Sequence, residues 1–94
     1  MEDIQILRQK LDRIDGEIIA LLEERLSVAR DIADWKAARN LPVLDPSREE
    51  KVLASRSSQL RETDLREHVR RIFADIMAMS RAEQEKRITE DSNV

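Results

Sequence analysis

Residues 4–35, IQILRQKLDRIDGEIIALLEERLSVARDIADW, decide the fold. Ile4, Leu7, Leu11, Ile14, Ile18, Leu21, Arg25, Val28, Ile32 and Trp35 follow one another at alternating steps of three and four. That spacing keeps side chains on one seam of an α-helix. One member of the seam, Arg25, is charged. A guanidinium cannot shed its proton and is costly to bury alone, so Arg25 needs an anion, either a carboxylate of the protein or a ligand.

Working outward, the helical period persists from about Asp3 to Asn40 without a Pro. The single glycine, Gly16, falls on the polar face, where it costs about 1 kcal/mol relative to Ala. A helix of that length spans roughly 55 Å, whereas a compact globule of this size has a radius of gyration of roughly 12 Å. The rod overshoots its own domain, and its far half must find apolar cover elsewhere. An intertwined homodimer is the expected assembly.

The stretch Asn40 to Leu44 breaks the period, and Asp45-Pro46 restarts it. Asp accepts the first unpaired backbone N–H groups and Pro fits the first turn. This second helix is expected to end at about Gln59, with a thin inward side of Val52 and Leu53 fading into Ser55-Arg56-Ser57-Ser58. Glu62 or Thr63 opens a third helix running to about Arg87, with Leu65, Val69, Ile72, Ile76 and Met79 as its seam and Phe73 and Met77 beside it. The expected fold is therefore all-α, with three helices per chain over about 3–40, 46–59 and 63–87. One domain covers 1–88, and residues 89–94 form a frayed tail without core residues. Trp35 is assigned to the core and His68 to the surface.

Composition agrees. Charged residues make up 39% and aromatic residues 2%, with one Gly and two Pro, a profile that favours helices over sandwiches, barrels and Gly-rich phosphate loops. The net charge of -3 is spread as mixed signs, so no basic stripe marks a nucleic-acid partner. Without cysteine there is no disulfide or thiolate chemistry, and the single His68 cannot build a zinc site. Neither metal nor cofactor is expected. No apolar run approaches the roughly 18 residues of a membrane span, and the acidic start, Met1 to Gln5, lacks signal-peptide features, so the expected compartment is the cytoplasm.

Several polar residues sit on or beside the apolar seams. Arg25 and Lys36 are close to three full turns apart and project from one side of the first helix, with Cα atoms roughly 16 Å apart. Between them they could hold one small dianion. Arg8 lies about 100° around and roughly 25 Å along the helix from Arg25, too far to touch the same small molecule within one chain. In an antiparallel dimer, Arg8 of one subunit could join Arg25 and Lys36 of the other, giving two symmetric sites. Ser80 and Gln84, four apart, place two neutral hydrogen-bonding groups at the edge of the third helix's apolar face. Asp45, Arg48 and Glu49 cluster at the start of the second helix. Each has a plainer reading: a buried salt bridge for Arg25, solvated flanks for Lys36 and Arg8, an N-cap for Asp45, an exposed first turn for Arg48 and Glu49, a tolerated polar edge for Ser80 and Gln84. Spacing yields a polar pocket in a helical dimer and no more.

The order of fragments carries the rest. Leu7-Arg8-Gln9-Lys10-Leu11-Asp12-Arg13-Ile14-Asp15, Leu21-Leu22-Glu23-Glu24-Arg25, Lys36, Leu41-Pro42-Val43-Leu44-Asp45-Pro46-Ser47-Arg48-Glu49-Glu50 and Ile72-Phe73 followed by Ser80 and Gln84 together resemble the all-helical class of chorismate mutases. That class includes the front domain of bifunctional mutase-prephenate dehydratase proteins. The resemblance implies an isomerase that converts chorismate to prephenate by an intramolecular Claisen rearrangement, without cofactor or covalent intermediate. It further implies that Arg25, Lys36 and Arg8 of the partner subunit clamp the two carboxylates, and that Lys36 and Gln84 donate to the ether oxygen. Glu49, with the backbone near Asp45, would take the ring hydroxyl, Ser80 would bond near the ring carboxylate, and Arg48 would support the site.

Two alternatives remain at this level. Isochorismate pyruvate lyases are similar in fold and share the cationic clamp, but they tend to lack the Asp cap and the Glu at the start of the second helix, and here Asp45 and Glu49 are both present. A non-catalytic dimerisation or regulatory module would use its buried charges only to fix register, which predicts internal salt bridges and no free pocket.

Overall fold

A helix survives from Ile4 because nothing in its sequence competes with it, and it stops where one residue can turn left-handed. In the computed structural model, which describes residues 3–92, α1 spans Ile4–Ala37. Asn40 adopts φ 54°, a conformation that Asn tolerates better than most side chains. The Leu41 N–H then donates to the Lys36 carbonyl at 2.9 Å and the Asn40 N–H to the Ala37 carbonyl at 3.2 Å. This is a Schellman closure, which pairs carbonyls that the last helical turn would leave bare. Residues 38–40 belong to that turn, so regular helix ends three residues before the expected boundary at Asn40.

The second helix, α2 over Pro46–Gln59, has the expected bounds. Its start is chemical. Asp45 Oδ1 accepts from the Arg48 N–H at 3.1 Å, the Asp45 carbonyl accepts from the Glu49 N–H at 3.0 Å, and Pro46 supplies a preset φ. The third segment opens with a 3-10 turn at Thr63–Leu65 and continues as α3 over Arg66–Ser92. It therefore passes the expected end at Arg87, and the expected loose tail is helical as far as Ser92. Met1, Glu2, Asn93 and Val94, including the tip of that tail, lie outside the described residues.

Helix α3 packs against both α1 and α2. On α1 the contacts gather in the C-terminal half, where Ala29 and Ala33 are buried, Ala33 completely. Arg30 pairs with Glu83 at 2.9 Å and Arg87 with Asp34 at 3.1 Å across the same seam. Small side chains let the two helices approach closely, and ion pairs flank the contact. The remaining core is Val43, Val52 and Met77. It is a small core, confined to the end of the molecule where three helices meet.

The other end is different in kind. Ile4, Leu7, Leu11, Ile14, Ile18 and Leu21 are 40% to 64% exposed, and the molecule measures 57 × 29 × 14 Å with a radius of gyration of 17.0 Å. That exceeds the roughly 12 Å of a compact globule of this length. The long rod expected from the seam is present, with its N-terminal half uncovered within the chain.

Two expectations about inward faces are corrected. On α3 the buried line is Met77, Ser80 and Gln84, whereas Ile72 and Met79, assigned to the seam, are exposed. Leu65, Ile72 and Met79 recur every seven residues and form a second apolar stripe, and packing against Ala29, Ala33 and α2 selects the other face. Trp35, assigned to the core, is half exposed; the Arg39 guanidinium lies 4.0 Å from its ring and donates to the Trp35 carbonyl at 3.0 Å. His68 is exposed, as expected. No described helix is long and apolar enough to cross a membrane.

Candidate active site

A cavity of about 420 Å³ opens between the C-terminal half of α1, the start of α2 and the middle of α3, a size typical of small-molecule sites. Arg25, Lys36, Asp45, Arg48, Glu49, Ser80 and Gln84 all line it. Arg8 does not; it stands exposed on the uncovered half of α1. The cavity thus gathers seven of the residues singled out from the sequence, drawn from three helices, and leaves Arg8 about 25 Å up the rod.

Each side chain is placed by a local rule. Arg25 and Lys36 reach the cavity because they share a side of α1. The Schellman turn folds the loop back so that Lys36 Nζ donates to the Val43 carbonyl at 2.8 Å, and an ammonium has further N–H donors to offer. The cap of α2 fixes Asp45 and Arg48, and the first turn carries Glu49 inward. On α3, Gln84 Nε2 donates to Ser80 Oγ at 3.3 Å, both residues being 7% exposed. Gln84 Oε1 is buried and has no hydrogen-bond partner among the described residues. A buried acceptor left bare carries a cost of roughly 1–3 kcal/mol unless a ligand or water meets it.

Charge is concentrated here with the opposite sign to the whole chain. Arg25, Lys36, Arg48, Arg56 and Arg81 face only Asp45 and Glu49, although the protein carries a net -3. No acid partners Arg25 among the described residues. Burial draws the Arg25 guanidinium below its ordinary pKa, and the charges of Arg56 and then Arg48 push the same way. A half-buried guanidinium surrounded by like charge is a site for an anion.

Two polar lining residues, Arg56 and Arg81, stand outside the set singled out from the sequence. Arg56 lies on the inward side of α2 in line with Glu49 and Val52, at steps of three and four, and that period was the available signal. Arg81 follows the same rule on α3, four after Met77 and three before Gln84. It forms an ion pair with Glu49 across the α2–α3 contact, which no local pattern discloses.

Comparison with known proteins agrees with this geometry. The family model for chorismate mutase type II matches residues 7–85. A chorismate mutase of Methanocaldococcus jannaschii is 30% identical over 99% of this chain and 95% of its own length. The bifunctional chorismate mutase/prephenate dehydratase of Aquifex aeolicus is 44% identical over 55% of this chain, which spans 14% of that longer protein. A solved chorismate mutase (form II) from Thermus thermophilus superposes with a TM-score of 0.84 at 34% identity, over 89% of this chain and 96% of that one. Family match, full-length relative and fold coincide, and the chain belongs to the chorismate mutase type II family, an isomerase by that membership.

Proposed function

We propose that this cavity holds chorismate in its reactive conformer and rearranges it to prephenate, in an intertwined homodimer that brings Arg8 of the partner subunit to the site. The reaction breaks one C–O bond as one C–C bond forms within one molecule, so it needs no nucleophile and no proton relay. What it needs is restriction of a flexible dicarboxylate and positive charge where the ether oxygen becomes negative. Arg25, Lys36 and Arg8 of the partner subunit clamp the carboxylates, with Arg48 supporting them from α2. Ser80 adds a hydrogen bond near the ring carboxylate. Glu49 and the backbone near Asp45 accept the ring hydroxyl.

Lys36 and Gln84 act on the ether oxygen. Their hydrogen bonds strengthen as the bond lengthens, which makes them catalytic rather than merely binding. The Gln84 carboxamide nitrogen has two protons: one goes to Ser80 Oγ and the second is available for the ether oxygen, while the Ser80 hydroxyl proton stays available for the ring carboxylate.

The observation that carries this reading is Arg25, half buried at a cavity where five cations face two acids and without an acid partner among the described residues. A purely structural module would have closed that charge with an internal acid. The presence of Asp45 and Glu49 favours the mutase over the lyase, since a hydroxyl at the mutase position needs an acceptor, and an acceptor held there is penalised when the ligand places no donor at that position.

The dimer rests on the uncovered seam of α1 together with the distance of Arg8 from the cavity. An assay of prephenate formation from chorismate, with Lys36→Ala and Arg8→Ala, tests both parts. Each variant alone is expected to lose activity with helicity intact. Unfolded and refolded together, they should regain about a quarter of the wild-type activity, because half the dimers are mixed and each mixed dimer holds one intact site. No recovery on mixing would overturn the shared site, and pyruvate release from isochorismate without prephenate formation would overturn the mutase.

A further inference from the structure

The ion pair between Arg81 and Glu49 joins α2 to α3 at the cavity through a side chain assigned to substrate. Arg81 Nη1 donates to Glu49 Oε1, and both side chains are mostly buried at the cavity wall. Glu49 has one oxygen occupied in this way, and its other oxygen is left for a second donor. A carboxylate on a flexible stem can adopt several rotamers and costs side-chain entropy to hold in one of them. A guanidinium on the facing helix removes that freedom and keeps the group an acceptor on its unshared side.

We infer that Arg81 is a positioning residue: it aims Glu49 at the hydroxyl of a hydroxylated cyclic dicarboxylate, and so sets the preference for hydroxylated over dehydroxylated ligands. This rests on the reading of Glu49 as the hydroxyl acceptor. Arg81 acts through Glu49, in contrast to Arg25, which meets a carboxylate directly. Its effect therefore falls on ligands that carry the hydroxyl and spares those that do not. A hydrogen bond to a charged group is worth about 10- to 100-fold in binding, and a misaimed acceptor forfeits part of that, so the expected loss is about 10-fold.

The test uses two cyclic dicarboxylate inhibitors that differ only in the ring hydroxyl, with inhibition constants measured on the dimeric enzyme for wild type, Glu49→Gln, Arg81→Met, Arg81→Lys and the double variant Glu49→Gln/Arg81→Met. Arg81→Met is expected to weaken the hydroxylated inhibitor about 10-fold and to leave the other within about twofold. Arg81→Lys should recover part of the loss, and Arg81→Met should add little in the Glu49→Gln background. If Arg81→Met does not fold, as judged by circular dichroism, Arg81→Gln takes its place with the same expectation. Equal weakening of both inhibitors would mean that Arg81 meets a carboxylate itself, and would overturn the inference. So would an unchanged preference in Arg81→Met while Glu49→Gln loses it. If Glu49→Gln leaves the preference intact, the assignment of Glu49 fails first, and the role of Arg81 fails with it.

Discussion

The two halves of α1 share one period and meet different fates. In the C-terminal half, Ala29 and Ala33 are buried against α3 and two ion pairs flank the contact. In the N-terminal half, six seam residues from Ile4 to Leu21 are each at least 40% exposed. A period of three and four says that a helix has an apolar side; it does not say whose surface covers it. The difference shows that this chain covers only half of the α1 seam by itself; the other half is what the proposed dimer would cover.

Breaking the uncovered half has the largest expected effect. Ile14→Glu places a charge in the seam on which the proposed partner packs, at a cost of several kcal/mol if it is buried unpaired. Both sites then lose Arg8 of the partner subunit together, and activity should fall by more than about 1000-fold. Sedimentation should show loss of the dimer. If Ile14→Glu keeps both its dimer and its activity, the seam is not the interface.

Within the covered half the same comparison reads as chemistry. Gln84→Ala removes a donor from the buried wall and should lower kcat by about 100-fold or more with little change in helicity. Ser80→Ala should cost less, because Gln84 can still reach the ether oxygen without its orienting hydroxyl. Steady-state kinetics on chorismate separate the two, and equal losses would show that Ser80 supports the transition state as strongly as Gln84.

Packing gives a smaller effect. Ala33 is completely buried where α1 and α3 approach, so Ala33→Leu forces the helices apart at a cost of about 1–3 kcal/mol. Thermal unfolding checks it. The flanking pairs add a pH dependence. The hydrogen bond from Arg30 holds the Glu83 carboxyl below its ordinary pKa, with its charge and that of Lys86 assisting against desolvation. A carboxyl that titrates lower when folded stabilises the fold above the ordinary carboxylate range, about pH 4.3, and loses that contribution as pH falls through its depressed value. The difference in Tm between wild type and Glu83→Gln should therefore shrink on acidification below about pH 4. Glu83 is exposed enough that the whole difference is small.

Legibility follows the range of the interactions. Asp45-Pro46 was readable as a helix start because a cap is written in three or four adjacent residues, and the structure closes it with Asp45 on the Arg48 N–H. The end at Asn40 was nearly readable for the same reason, off by the three residues that form the Schellman turn. Arg25 stood out because one charge interrupts a long apolar seam. The inward face of α3 was not readable. Two apolar stripes compete on it, and the choice belongs to Ala29, Ala33 and α2, which lie far away in sequence. The pairing of Arg81 was invisible for a related reason: its partner, Glu49, lies on another helix. A seam discloses that a helix packs, but only its neighbours disclose which stripe.

The smallest effect probes the comparison most finely. Gly16 lies on the uncovered half, on the side opposite the seam, and a Cβ built there meets nothing within 4 Å. Within the chain, Gly16→Ala therefore gains helix propensity and loses unfolded-state freedom, a stabilisation of up to about 1 kcal/mol. A partner that covers only the seam leaves that gain intact, and Tm should rise with kcat unchanged. A partner that wraps further round α1 would meet the new methyl and reverse the sign. In the proposed dimer, the sign of a change worth less than a kilocalorie thus measures how much of the rod the second subunit encloses. Stabilisation limits the interface to the stripe from Ile4 to Leu21, and destabilisation would extend it to the polar face.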